Sequence, residues 1–82
     1  KHYPLFLNYF KTKYPELNIN EIETCLFLIL NYNSKDIARF TKNSVRAIES
    51  KKYRIRRKLD LNSNVNLNEF LILFFNQNNI DF

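Results

Sequence analysis

The chain of 82 residues is 45% apolar and 16% aromatic, and it carries 13 Lys or Arg against 8 Asp or Glu. This length allows one hydrophobic core but no deep substrate cleft, and the apolar fraction argues against a disordered chain. The sequence contains no glycine; because tight hairpins and phosphate-binding loops usually need it, the composition favours helices joined by Asn-rich turns.

The first predicted helix begins at Pro4, since proline lacks an N–H group that the first helical residue does not need. Apolar side chains follow at helical spacing, namely Phe6, Leu7, Phe10 and Tyr14. Pro15 ends this helix. His2 has no cluster of other ligands beside it in the sequence, so we do not expect it to bind a metal.

The second predicted helix begins with a capping box, in which Asn18 is the N-cap and Glu21 reaches back to it. The apolar stripe that follows consists of Ile22, Cys25, Leu26, Ile29 and Leu30. Hydrophobicity alone would also allow a strand over Cys25–Leu30, but the cap and the length favour a buried helix. Cys25 is the only cysteine, and we expect a buried structural thiol.

A short helix, a turn and a longer basic helix are predicted next. Ser34 caps the short helix, Thr41–Asn43 forms the turn, and Ser44 caps the basic helix, which runs to Leu59. The side chains of the short helix that are expected to face inward are Ile37, Ala38 and Phe40. The apolar stripe of the basic helix consists of Val45, Ile48, Ile55 and Leu59, with the alkyl stem of Lys51 or Lys52 bridging its gap.

The last predicted helix begins near Leu67, with Asn66 as its cap and Glu69 at its third position. Its core stripe consists of Leu67, Phe70, Leu71 and Phe74, and its opposite side carries Ile72, Leu73 and Phe75. The polar tail over residues 76–82 is expected to be frayed.

Positive charge is concentrated on the basic helix and the turn before it. From Arg39 to Lys58 there are nine Lys or Arg and one acid, Glu49, which gives a net charge of +8. The other 62 residues hold four bases and seven acids, a net charge of −3. An isolated basic helix is often only a solvated surface, but charge this concentrated is typical of a surface that binds a polyanion.

The pattern resembles the LuxR/GerE-type helix-turn-helix domain of bacterial transcription regulators. The matching segments are Leu17, Glu21, Ser34–Ala38, Ser44–Glu49 and Tyr53–Leu59, and Asn66–Leu71 is similar to a variant at the C-terminus of larger regulators in Bacteroidetes-type bacteria. The family usually has apolar residues where this chain has Thr41 and Asn43, and Gly or Asn where it has Lys42.

The resemblance implies an all-α fold, a four-helix LuxR/GerE-like helix-turn-helix domain with an extra N-terminal helix. We expect a single domain over residues 1–82, with the extra helix at 1–16, the helix-turn-helix core at 17–71, and the end of the last helix and the tail at 72–82. Because Lys1 is not a methionine, we expect a C-terminal fragment of a longer regulator.

The resemblance also implies sequence-specific binding of double-stranded DNA in transcription regulation, with the basic helix, Ser44–Leu59, in the major groove. The positions that contact bases map onto Arg46, Glu49, Ser50 and Tyr53. Contacts to phosphates are expected from Ser34, Lys35, Lys42, Ser44, Lys52, Arg54 and Arg57. Arg46 can pair with guanine and Glu49 with the cytosine amino group. Glu49 is explained equally well as the structural partner of a neighbouring Arg or Lys.

Members of this family commonly dimerise through the last helix. The candidate dimer residues are Ile72, Leu73 and Phe75, and we expect a weak homodimer. The alternative is that the N-terminal helix covers this surface within one chain.

Other functions are less well supported. The sequence has no nucleophile–base arrangement, metal-ligand spacing or Gly-rich loop, so we expect no enzyme activity and no cofactor, metal or small-molecule ligand. The longest uncharged apolar runs have six residues, too few to span a membrane, and no signal-peptide pattern is present; we expect a cytoplasmic, nucleoid-associated protein. The main alternative function is a protein–protein interaction module that keeps the helix-turn-helix fold, and RNA binding is a weaker third.

Overall fold

The computed structural model describes residues 3–77 and, from residue 8 onward, their side chains. This part of the chain forms five α-helices and no strand: α1 Tyr3–Lys13, α2 Ile19–Ile29, α3 Ser34–Thr41, α4 Val45–Lys58 and α5 Leu67–Gln77. The all-α fold class is confirmed, and Cys25 lies in a helix, as the cap and length predicted. The predictions for His2, for the Phe6 and Leu7 side chains and for residues 78–82 fall outside the described residues.

Three of the predicted helix caps are confirmed. At α2, the Glu21 N–H donates to Asn18 Oδ1 at 2.8 Å, and the Asn18 N–H donates to Glu21 Oε1 at 2.9 Å. At α4, the Ala47 N–H donates to Ser44 Oγ at 3.0 Å. At α5, the Glu69 N–H donates to Asn66 Oδ1 at 3.1 Å. Each side chain satisfies a backbone donor that has no partner within its own helix.

The predicted cap of α3 is wrong by one residue. Asn33, with an extended backbone, is the N-cap, and its Oδ1 accepts the Asp36 N–H at 2.8 Å. Both Asn33 and Ser34 are good capping types, so the sequence alone did not distinguish them. Ser34 is the first helical residue, and its hydroxyl is free to bond to a neighbouring helix.

The connection between α3 and α4 is a tight turn at Lys42, which has the left-handed backbone conformation (φ 57°). The Asn43 N–H returns to the Ala38 carbonyl at 2.9 Å, which closes the end of α3 in the manner of a glycine-type C-cap. The Thr41 hydroxyl donates to the Ile37 carbonyl at 2.7 Å, and the Asn43 amide donates to the Thr41 hydroxyl at 3.0 Å. The Thr41 and Asn43 side chains thus join the turn to the last turn of α3 through hydrogen bonds.

The core takes side chains from all five helices. Its fully buried members are Phe10, Ile22, Cys25, Leu28, Ile37, Ile48, Ile55, Leu67 and Leu71. Three residues that were predicted to face inward do not: Leu30, Phe40 and Val45 are 51%, 50% and 42% exposed. Leu30 and Val45 lie at helix ends, where the apolar stripe runs past the packed interior. Phe40 lies at the edge, stacked on Phe27 and edge-on to Tyr32.

Helix α1 packs against α2 and, through aromatic rings, against α5. The ring centroid of Phe74 lies 6.1 Å from that of Tyr9, 5.8 Å from that of Phe10 and 5.9 Å from that of Tyr14. Aromatic rings at these separations stabilise the fold by more than their buried area alone would. The extra N-terminal helix therefore forms part of the same core. Among the described residues, no helix is long and apolar enough to cross a membrane.

Candidate nucleic-acid interface

The C-terminal half of α4 is held against the start of α2 by Glu21, whose side chain is only 2% exposed. Lys58 Nζ lies 2.9 Å from Oε1 and 3.1 Å from Oε2 of this carboxylate, and Arg54 Nε lies 4.0 Å from Oε2. The same carboxylate accepts the Asn18 N–H of its capping box. One buried acid therefore both caps α2 and fixes the position of α4.

The protonation of Glu21 is governed by these contacts. Burial by itself raises the pKa of Glu21. The hydrogen bond from the Asn18 backbone, the hydrogen bond from Lys58 and the nearby Lys58 and Arg54 charges together lower the pKa by more than burial raises it, so the pKa lies below its ordinary value. The charged form is thus the one that the fold stabilises.

The N-terminal half of α4 is held against the start of α3 by a cluster of three side chains, Ser34, Glu49 and Lys52. The Ser34 hydroxyl donates to Glu49 Oε2 and accepts from Lys52 Nζ at 3.2 Å. Lys52 Nζ also lies 3.6 Å from Glu49 Oε2. Ser34 is buried and the Lys52 side chain is only 12% exposed, whereas the Glu49 side chain is 54% exposed.

The charge of Glu49 is stabilised within this cluster. The Ser34 hydroxyl lowers the pKa of Glu49 most; burial acts against it, and the Lys52 and Arg56 charges add to the lowering. Glu49 therefore has the structural partners that the sequence allowed for, and it keeps about half of its side chain in solvent.

A third contact holds the end of α4. Arg56 Nε donates to the Val65 carbonyl at 3.1 Å and so ties the helix to the loop before α5. Because Glu21, Ser34 and Val65 all contact the inner side and flanks of α4, the opposite face of the helix points to solvent.

This solvent-facing side of α4 carries Arg46, Ser50, Tyr53 and Arg57. These four residues are called the outer face below. These positions are three or four residues apart, so they are neighbours along one side of a helix, and all four side chains are exposed. The Arg57 guanidinium lies 5.9 Å from the centroid of the Tyr53 ring, within range of a cation–π interaction. The tyrosine ring and a positive charge are therefore presented side by side.

The structure brings most of the predicted DNA-contacting residues to one region. Of the predicted base contacts, Arg46, Ser50 and Tyr53 lie on the outer face, and Glu49 lies at its edge, beside the start of α3. The predicted phosphate contacts that are exposed are Lys35, Lys42, Ser44, Arg54 and Arg57. The side chains of Ser34 and Lys52 bond instead to Glu49, as described above.

Arg39 and Val45 are exposed near this region and were not among the predicted contacts. The Arg39 side chain, on α3, is 73% exposed, and its guanidinium lies 3.8 Å from Asp36. Its place at the start of the basic segment was the signal available in the sequence. Val45, which was assigned to the core, borders a surface depression of about 480 Å³. This depression is lined by Asn33, Ser34, Lys35, Val45, Glu49 and Lys52.

The predicted dimer residues differ in exposure. Leu73 is 58% exposed and Ile72 is partly exposed, whereas Phe75 packs against the core. Helix α1 contacts Phe74 on the neighbouring side of α5 and leaves Leu73 in solvent. The intrachain cover that was considered as the alternative is therefore only partial among the described residues.

Comparison with known proteins adds no identification: no family model matches this chain, and no curated protein or solved structure matches it. Over residues whose placement is described, no group of three or more His, Cys, Asp or Glu could hold a metal ion.

Proposed function

We propose that this chain binds double-stranded DNA, with α4 in the major groove, as the helix-turn-helix domain of a transcription regulator of the LuxR/GerE type. The observation that carries the proposal is the division of charge around α4. On the flanks of α4, Lys58 and Lys52 are paired with acids. On the outer face, Arg46 and Arg57 have no acidic partner among the described residues.

The connection between α3 and α4 supports the same proposal. A short helix is followed by a tight turn and a longer helix; the exposed Lys42 lies in the turn, and the exposed Lys35 borders the same depression as Val45, the first residue of α4. In this arrangement the longer helix enters the groove with its N-terminal residues toward the bases, and the shorter helix crosses the backbone. The exposed cations on the flanks then lie where phosphates pass, and Arg46, Ser50 and Tyr53 face the base edges.

Exposed aromatic and aliphatic side chains favour a second candidate function, the protein–protein interaction module. Leu73 on α5 and Phe40 on α3 are each at least half exposed, so each is available for a contact with a partner protein. They lie outside the outer face of α4, so a protein contact there is compatible with DNA binding.

The proposal is tested by measuring affinity for duplex DNA of random sequence for the wild type, Arg46→Ala, Arg57→Ala and Lys11→Ala. Lys11→Ala is the matched control, because it removes one exposed positive charge from α1. We expect both changes in α4 to weaken binding several-fold and the control to have little effect. Equal effects of all three changes, or no binding by the wild type, would argue against the proposal.

A further inference from the structure

Glu49 is the one acidic residue between Arg39 and Lys58, and its surroundings differ from those of an ordinary surface acid. It lies on the first half of α4, at the edge of the outer face. A mobile carboxylate in this place would be repelled by DNA phosphates. Here the side chain is held by a hydroxyl from α3 and by an ammonium group one turn further along α4.

The two carboxylate oxygens of Glu49 are used unequally. Both contacts, from Ser34 and from Lys52, go to Oε2. Among the described residues no hydrogen bond reaches Oε1, and about half of the side chain is in solvent. The cluster therefore holds the carboxylate through Oε2 and leaves Oε1 without a hydrogen bond from the described residues, available as an acceptor.

Resting on the proposed function, we propose that Glu49 is a specificity-determining residue that accepts a hydrogen bond from the cytosine amino group, and that Ser34 and Lys52 are its positioning residues. A carboxylate is only an acceptor, and in the major groove cytosine offers an amino donor. Adenine also offers an amino group, but next to it stands the N7 acceptor, which repels a carboxylate. Guanine and thymine offer acceptors at the corresponding position.

The positioning role explains why the side chains of Ser34 and Lys52 are largely buried although both are polar. Ser34 comes from α3 and Lys52 from α4, so together they fix Glu49 relative to both helices before DNA arrives. An acceptor that is already oriented loses less side-chain freedom on binding. This role replaces, for these two side chains, the contact to phosphates that their residue types suggested.

Selection of bound sequences from a random duplex pool tests this inference with the wild type and with Glu49→Gln, Ser34→Ala, Ser34→Thr and Lys52→Met. The controls are Ser63→Ala, which removes an exposed loop hydroxyl, and Lys51→Met, which removes the neighbouring ammonium group. Circular dichroism and thermal unfolding establish that each variant is folded. If Ser34→Ala does not fold, Glu49→Gln and Lys52→Met still decide the question.

We expect Glu49→Gln to reduce the preference for cytosine at one position of the site by roughly tenfold. Ser34→Ala and Lys52→Met reduce the preference at that same position by roughly three- to tenfold, and Ser34→Thr and the two controls leave it unchanged. Because the three side chains act as one unit, Ser34→Ala adds little to Glu49→Gln in the double variant.

Three results would overturn the inference. If Glu49→Gln leaves every base preference of a selective wild type unchanged, Glu49 is a structural clamp. If Lys52→Met weakens binding to all sequences alike and lowers the salt dependence by about one counterion, Lys52 contacts a phosphate. If the wild type binds no duplex at all, the proposed function itself fails, and this outcome is distinct from the first two.

Discussion

Lys58 Nζ lies 2.9 Å from Oε1 of Glu21, across 37 residues of sequence, and this pair joins the end of α4 to the beginning of α2. The carboxylate is buried, whereas about a third of the Lys58 side chain is exposed. Removing one member of a buried pair leaves the other without compensation. The contact is therefore expected to matter for the stability of the fold and for the angle at which α4 is presented.

Replacing Lys58 by Met should lower the free energy of unfolding by about 1–3 kcal/mol, because a buried carboxylate loses its nearest donor. The loss stays moderate since Arg54 and the Asn18 N–H still contact Glu21. Urea unfolding measures it. Lys51→Met, the same change on the same helix without a described contact to an acid, is the control and should cost less than about 0.5 kcal/mol. Equal effects of the two changes would mean that the Glu21 contact contributes nothing.

Stability should fall in acid. The pKa values of Glu21 and Glu49 are both lowered in the folded chain. Between these folded pKa values and the ordinary glutamate value, the unfolded chain therefore binds more protons than the folded chain, and the free energy of unfolding rises with pH. The contribution is fully present above the ordinary glutamate value of 4.5 and is lost as the pH falls through the folded values.

Urea unfolding of the wild type and of Glu21→Gln at pH 7 and at pH 3.5 checks this pH dependence. At pH 7 the variant should be less stable than the wild type. Between pH 7 and pH 3.5 its free energy of unfolding should fall by less than that of the wild type. A variant that loses as much as the wild type would show that Glu21 does not contribute to the acid sensitivity.

Cys25 should be unreactive in the folded protein. It is fully buried, and burial raises the pKa of its thiol to about 12, so the reactive thiolate is scarce at neutral pH. A thiol-labelling reagent should modify Cys25 only as fast as the chain unfolds, and urea should accelerate the labelling. Rapid labelling in the absence of urea would contradict the buried position.

The sequence was most informative where local rules determine the structure. The capping box at Asn18, the hydroxyl cap at Ser44 and the cap at Asn66 all involve residues three positions apart, and a local pattern is enough to find them. The all-α fold followed from helical spacing of apolar residues and from the absence of glycine.

Contacts between distant segments could not be found in this way. Periodicity places Lys52 and Lys58 on the flanks of a helix, but it does not say which acid approaches from another helix. The pairing of Lys58 with Glu21 and of Lys52 with Ser34 depends on how α2 and α3 pack on α4. For the same reason Phe40 and Val45, apolar residues at the edge of the packed interior, were wrongly assigned to the core.

Self-association should depend on Leu73, the most exposed large apolar residue of α5. We expect a weak homodimer at high concentration, because burying a few apolar side chains contributes only several kcal/mol before the cost of association. Sedimentation of the wild type and of Leu73→Lys measures it, with Ile19→Lys, another exposed apolar residue, as the control. The Leu73 variant should stay monomeric while folded, and the control should behave as the wild type. A wild type that is monomeric at every concentration would contradict this expectation.

Binding to duplex DNA at two salt concentrations tests the central proposal most directly. With about five Lys or Arg contacts to phosphates, affinity should fall roughly 500-fold between 50 and 200 mM salt, because each contact releases about 0.9 counterions. Arg57→Ala should reduce this salt dependence by about one counterion. A wild-type chain that shows no affinity for duplex DNA at 50 mM salt, or an affinity that does not change with salt, would contradict DNA binding through α4.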